Sequence, residues 1–498
     1  MGHKFSAILI FLVGYSSAAS VHLLSNSLTT DEFQNTVTTH GSFKDRATDT
    51  TTSTSTTPVD IHHQRSTINL TQTLQGNQSE AVCKINEKPL NLLEIKQMHT
   101  FLEKSLKKNV LNYTLSPVTK PGDNYNFMLQ SLEVKLLQND SFEIDTLKLV
   151  CKTPAGVSIS SSHSKQFSNE MHFYSVIVPA IELFEQNANV PKTERIDAFV
   201  RYFGARLSLD SNVESADGDA VILLENAKSL NFACLGRRDK FDKEQVLAIL
   251  KRLAKLHALT IAMRRLEPTM FYSKVDPHLH TRYNGSFLET LINITDKFAN
   301  KLPITFPNMT IETQNTIKTQ LNNSKEYLRN RSISSAPDTP YTTFYHRDLW
   351  VKNIMIKKGG HSKQSIQVKI LDFQAYDYDS FAFDLTFFVF YNAQIEDLQM
   401  NFKLFIEYYH SEFFNTMRLV DCSIDDYTYE KMWHEIKDKA KLNLLKLYLY
   451  LAFDQIEILK NNEVAANGTD FYLDQPTPEI ILNRWKCIND LYIENGFI

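Results

Sequence analysis

His346, Arg347 and Asp348, followed five residues after the Asp by Asn353 and then by Asp372-Phe373-Gln374 at the end of an apolar run, are residue types that suit phosphoryl transfer. That chemistry uses one carboxylate beside the attacking hydroxyl and two further oxygen ligands for Mg²⁺. The spacing H-R-D-x-x-x-x-N is met by His346, Asp348 and Asn353, with Leu349 to Lys352 between them. Asp348 is then the base that accepts or orients the hydroxyl proton. Asn353 and Asp372 hold the metal, whose hard charge calls for oxygen. A polar loop between strands is the competing reading.

A nucleotide also needs a cation for its phosphates. Leu147 to Lys152 alternates as a strand, so Lys148 and Lys152 share one face while Leu147, Leu149 and Cys151 share the other. Lys152 is the favoured phosphate ligand because Thr153-Pro154 ends the strand directly after it, and Lys148 is kept as the alternative. Glu170 sits three residues from Phe167 and four from Tyr174, at the edge of an apolar helix stripe, where an ion pair to Lys152 accounts for it. Gly122-Asp123-Asn124 lies between two strand-like stretches and reads as a turn over the phosphates. Glu225 and Ala227 follow a short buried strand, Val221 to Leu224, where a linker between lobes would present main-chain groups to the base of the nucleotide. His257 reads as a packed histidine, and Asp384 as the carboxylate that holds the backbone of the His346 loop.

The elements that must position these residues are legible as two blocks. Phe127 to Leu137 and Ile144 to Val150 are strand-like around the turn formers Asn139-Asp140, and Gln166 to Glu185 is helical with a kink at Pro179. Asp242 with Gln245 has the form of a capping box ahead of a helix through Arg264. A hairpin of Asn353 to Ile356 and Gln367 to Leu371 precedes long helices, including Lys431 to Leu459 and Arg484 to Tyr492. The sequence therefore predicts an α+β protein: a small mixed β lobe over 83–228 and a larger, mostly helical lobe over 229–498. A cleft between lobes is a common ligand site.

The remainder bounds the setting. Residues 1–19 have the basic start, short apolar run and small-residue end of a secretory signal, and 20–82 is a Thr/Ser-rich segment too poor in apolar residues to order itself. With ten Asn-x-Ser/Thr sequons, this predicts a secreted or lumenal glycoprotein with no membrane span after signal cleavage; a cytoplasmic location is the alternative. Five widely spaced cysteines suggest no metal site and leave at least one thiol unpaired in a monomer. A net charge of −4 gives no basic field for nucleic acid.

From about Leu115 onward the chain resembles the ecdysteroid kinase-like family, related to choline and aminoglycoside kinases. The resemblance is strongest in Tyr345-His346-Arg347-Asp348-Leu349-Trp350-Val351-Lys352-Asn353 and Leu371-Asp372-Phe373-Gln374, with support from Cys151-Lys152-Thr153-Pro154 and Asn169-Glu170-Met171-His172-Phe173-Tyr174. Members usually read His-Gly-Asp where this chain has Arg347, and Glu-Asp where it has Glu225-Asn226. The resemblance implies a bilobal protein-kinase-like fold that uses ATP and Mg²⁺ to phosphorylate a hydroxyl of a small molecule, with ecdysteroid alcohols the best-known acceptors. A secreted, catalytically weak binding protein and a protein kinase are the alternatives. Against the latter, only eleven residues separate Asp372 from Asp384, too few for a long activation segment.

Overall fold

The computed structural model describes residues 95–118, 127–137, 143–155, 159–279, 285–335, 338–359, 366–462 and 469–498. The signal-like and Thr-rich segments, Cys83, the phosphate-turn candidates Gly122, Asp123 and Asn124, and the Asn139-Asp140 turn lie outside them.

Period-two patterning builds the first layer. Strands β1 (Val110–Pro117), β2 (Phe127–Leu137), β3 (Ile144–Pro154), β4 (Tyr202–Arg206) and β5 (Val221–Glu225) form an antiparallel sheet in the order β1-β2-β3-β5-β4. Leu149 and Cys151 of β3, with Val221 and Leu223 of β5, bury against Met98, Phe101 and Leu102 of helix α1 (Met98–Leu106). The opposite face, with Ile222 and Leu224, joins the main core. Lys152 is on that inner face, as the alternation predicts, while Lys148 is exposed.

Helix α2 (Ser161–His172) runs through a wider π turn, Phe173–Ile177, into α3 (Val178–Asn187). The expected disturbance at Pro179 is present in this form. Proline cannot donate to the preceding turn, and the wide turn ahead of it absorbs the lost bond.

The helical lobe opens with α4 (Lys243–Leu266), whose Asp242 side chain accepts from the Gln245 amide while the Gln245 side chain returns to the Asp242 amide. Helices α5 (Gly285–Ala299) and α6 (Ile311–Ile333) follow. Two small sheets then carry the site. Strand β7 (Thr342–Tyr345) pairs antiparallel with β10 (Asp377–Ser380), and β6 (Ala233–Cys234), β8 (Ile354–Lys358) and β9 (Ile366–Ile370) form the other in the order β6-β8-β9. Asn353 precedes the hairpin strand that the sequence assigned it to, because its amide closes a turn onto the Trp350 carbonyl at 2.9 Å. The apolar α7 (Phe381–Asn392), α8 (Ile395–Leu419), α9 (Tyr429–Asn462) and α10 (Glu479–Glu494) complete the lobe, with α9 packed on α5, α6 and α7.

Cys151, Cys234, Cys422 and Cys487 are free thiols. No described helix is long and apolar enough to cross a membrane.

Candidate active site

The loop after β7 is held in a strained conformation by side chains from three other elements. Arg347 has φ 75°, a left-handed backbone that costs a non-glycine residue about 1 kcal/mol or more. Both oxygens of buried Asp384, in α7, clamp this turn: Oδ2 accepts from the His346 amide at 2.6 Å and Oδ1 from the Arg347 amide at 3.0 Å. Lys446 Nζ of α9 donates to the Arg347 carbonyl at 2.7 Å, and the Arg347 guanidinium lies 3.4 Å from Asp377 Oδ2. Burial pushes the Asp384 carboxyl up, but the contact with His257, together with the Lys446 charge, outweighs it and leaves the group below the usual carboxylate range. His257, as expected, is packed in the core, with Nδ1 2.7 Å from the Tyr409 hydroxyl and Nε2 3.6 Å from Asp384.

His346 is a rigid connector. Burial lowers its pKa, so the ring is neutral; Nδ1 accepts from the Asp348 amide at 3.2 Å, which assigns the proton to Nε2, 2.9 Å from the Leu371 carbonyl. Asp348 is 2% exposed. Its Oδ1 accepts from the Tyr450 hydroxyl at 2.5 Å and its Oδ2 from Asn353 Nδ2 at 3.1 Å. Burial pushes the Asp348 carboxyl up to about 7, assisted by the Asp372 charge and opposed by Tyr450, Lys446 and Asn353. A carboxyl poised near neutrality suits proton transfer at physiological pH.

Across the cleft, Lys152 Nζ bridges two carboxylates. It donates to Glu170 in a short buried ion pair and to Asp372 Oδ1 at 2.9 Å. Burial opposes the Lys152 charge, yet Asp372 and Glu170 more than restore it and raise its pKa. Burial raises Glu170, and Lys152 opposes that shift. Asp372 also has positive φ, at 64°, and its Oδ2 accepts from Gln374 Nε2 at 3.2 Å. Phe373 stacks on Phe173 of the π turn, with ring centroids 3.5 Å apart and planes 7° from parallel. The Leu371 amide donates to the Asn353 carbonyl at 2.8 Å, so Asn353 and the approach to Asp372 are adjacent across the hairpin.

The donor set at this point fits Mg²⁺. Asn353 spends its amide nitrogen on Asp348, at 2.9 Å to the carbonyl and 3.1 Å to Oδ2, which leaves its oxygen for a cation. One carboxylate and one amide oxygen match an ion that takes its other ligands from phosphate and water. Among the described residues no group of three or more His, Cys, Asp or Glu side chains is assembled for a metal.

The structure brings Lys152, Glu170, Asp348, Asn353 and Asp372 together. Glu225 ends β5 and its amide donates to the Arg201 carbonyl at 2.8 Å, while buried Ala227 opens a turn whose carbonyl accepts from Phe232 at 3.1 Å. Tyr450 and Lys446 were not singled out in the sequence. Their signal is a polar stripe, Asn443, Lys446 and Tyr450, at helical spacing on the otherwise apolar middle of α9; Asn443 Nδ2 donates to the Phe383 carbonyl at 2.9 Å.

A sheet lobe and a helical lobe that jointly enclose a lysine, a buried aspartate and two oxygen donors define a two-lobed α+β protein of kinase-like design. The chain belongs to the ecdysteroid kinase-like family, whose model matches residues 121–422, more than half its length. No curated protein sequence matches it. Similar solved structures include a Plasmodium vivax ethanolamine kinase, at 12% identity over 78% of this chain and 84% of that one, with a TM-score of 0.34. A microcompartment-associated aminopropanol kinase matches at 9% identity over 80% and 99%, with a TM-score of 0.36. The GDP complex of wild-type aminoglycoside 2'-phosphotransferase-IIIa matches at 10% identity over 81% and 100%, with a TM-score of 0.34.

Proposed function

We propose that the chain is an ATP-dependent small-molecule kinase that transfers the γ-phosphoryl group of ATP to a hydroxyl of a small alcohol. The observation that carries this reading is the facing pair of contacts: Asp348 buried between Tyr450 and Asn353, and Lys152 bridging Glu170 and Asp372. Asp348 orients the acceptor hydroxyl and takes its proton. Lys152, fixed by Glu170, binds phosphate oxygens, and Asn353 and Asp372 supply oxygen ligands for Mg²⁺. When bound, Mg²⁺ neutralises phosphate charge. Gly122, Asp123 and Asn124, with the main chain at Glu225 and Ala227, complete the nucleotide site on this reading.

A protein acceptor is disfavoured. After Asp372 only 373–376 precede β10, and α7 begins directly after that strand, so the interval is filled by paired structure. Because 1–19 has the form of a secretory signal, the exported and processed product is the form to assay.

The test is Mg·ATP-dependent phosphorylation of a panel of steroid and amino alcohols by the purified protein and by Asp348→Ala. Transfer by the wild type and its loss in the folded variant is the expected result. Equal turnover by the variant removes Asp348 as base, and no transfer to any alcohol alongside no binding of Mg·ATP removes the kinase reading.

A further inference from the structure

A cavity of about 260 Å³ lies in the helical lobe between the lead-in to α4, the start of α8, the C-terminal half of α9 and α10. Its walls divide by chemistry. Leu451, Ile458 and Ile481 supply apolar surface, while Lys240 and Arg484 supply charge. Of the seven charged residues lining it, Arg237 pairs with Glu457, and Arg238 and Glu396 offset one another in formal charge. That leaves Lys240 and Arg484 against Asp454, a net charge of plus one.

Asp454 is already engaged, its Oδ2 accepting from the Tyr391 hydroxyl at 2.8 Å. Neither Lys240 nor Arg484 forms an ion pair with a described carboxylate. Lys240 Nζ rests 3.8 Å above the Tyr391 ring, and buried Arg484 donates to the Phe390 carbonyl at 3.2 Å. Burial pushes the Lys240 pKa down to about 8, so it remains mostly charged at neutral pH. Holding two cations against an apolar wall with Asp454 as their shared counter-charge, itself already bonded to Tyr391, is unfavourable. An anion in the cavity removes that cost.

The cavity adjoins the proposed base through two contacts. Tyr391 packs against Tyr450 with ring centroids 5.0 Å apart, and Tyr450 donates to Asp348. Arg237 lies 5.2 Å over the ring of Trp350, two residues past Asp348.

We propose that this cavity binds a small amphipathic anion, its charged end between Lys240 and Arg484 and its apolar body along Leu451, Ile458 and Ile481. At about 30 Å³ for each water-sized heavy atom, the volume suits an occupant of roughly nine heavy atoms, the scale of a medium-chain amphiphile.

The experiment is calorimetric titration of the full chain at pH 7, without nucleotide, with octanoate, 1-octanol and octylamine. Octanoate binds at least tenfold more tightly than either comparison, and Lys240→Met loses at least that factor for octanoate alone. Ile458→Trp, at a half-buried position, fills the cavity and abolishes octanoate binding at an unchanged melting temperature. Equal binding of octanoate and octanol, or octanoate binding that survives Ile458→Trp, overturns the proposal. Neither result touches the Asp348 assay, which is read by turnover.

Discussion

At Asp348 burial and hydrogen bonding act in opposite directions, and the carboxyl settles near 7. The sign of the pH effect follows. Between about 4 and 7 the folded protein binds a proton that the unfolded chain has released, so this group's contribution to stability falls as pH rises through that window. Asp348→Asn removes the decline, which thermal unfolding at pH 5 and pH 8 reads directly: the variant loses less stability than the wild type. On the proposed mechanism activity runs the other way, since Asp348 as base must be ionised, and kcat/KM is expected to rise with pH through about 7. The same variant lowers kcat by about 100-fold to 10,000-fold, the range of general-base contributions. Tyr450→Phe withdraws a hydrogen bond that favours the ionised form, so the rising limb of the profile moves to higher pH and kcat at pH 7 falls about tenfold. An unmoved profile would show that the Tyr450 hydroxyl does not act on Asp348.

Local patterns make several elements readable from the sequence alone. The alternation of β3 separated Lys152 from Cys151, and the Asp242/Gln245 pair marked the start of α4 because both signals lie within a few residues. Tyr450 and Lys446 were not readable in that way. They act on Asp348 and Arg347 from 102 and 99 residues away, and periodicity describes a helix face without naming what it meets. The π turn was legible only as a proline disturbance, since its wide geometry depends on packing. Arg347 is a further case: the family resemblance marks it as a departure from glycine, and the structure shows the positive φ that glycine would satisfy. Arg347→Gly relieves about 1 kcal/mol of backbone strain but leaves a cavity and removes one partner of buried Asp377, so net destabilisation of about 2 to 4 kcal/mol is expected by chemical denaturation. Asp384→Asn keeps only one of two acceptor oxygens, and the loop it clamps should lose catalysis with KM little changed.

Over the whole molecule, the site draws on both blocks: β3 and α2 contribute Lys152 and Glu170, the β7-to-α7 region contributes Asp348, Asn353 and Asp372, and α9 contributes Tyr450 and Lys446. Mg·ATP at a hundred times its dissociation constant should then stabilise the folded protein by about 2.7 kcal/mol, seen as a rise in melting temperature that EDTA abolishes. A nucleotide-independent melting temperature would contradict the shared site. The stack of Phe173 on Phe373 adds a condition on chain length. Glu170 and Phe173 are one helical turn apart, while their partners reach the Asp372-Phe373 dipeptide, the first through Lys152. Two anchor points on one rod fix both its height and its rotation. One residue inserted between Glu170 and Phe173 would turn one anchor about 100° from the other. Insertions elsewhere on the exposed side of the helical lobe leave that alignment intact, so the three-residue spacing between these anchors is a dimension of the fold as much as any side chain in it.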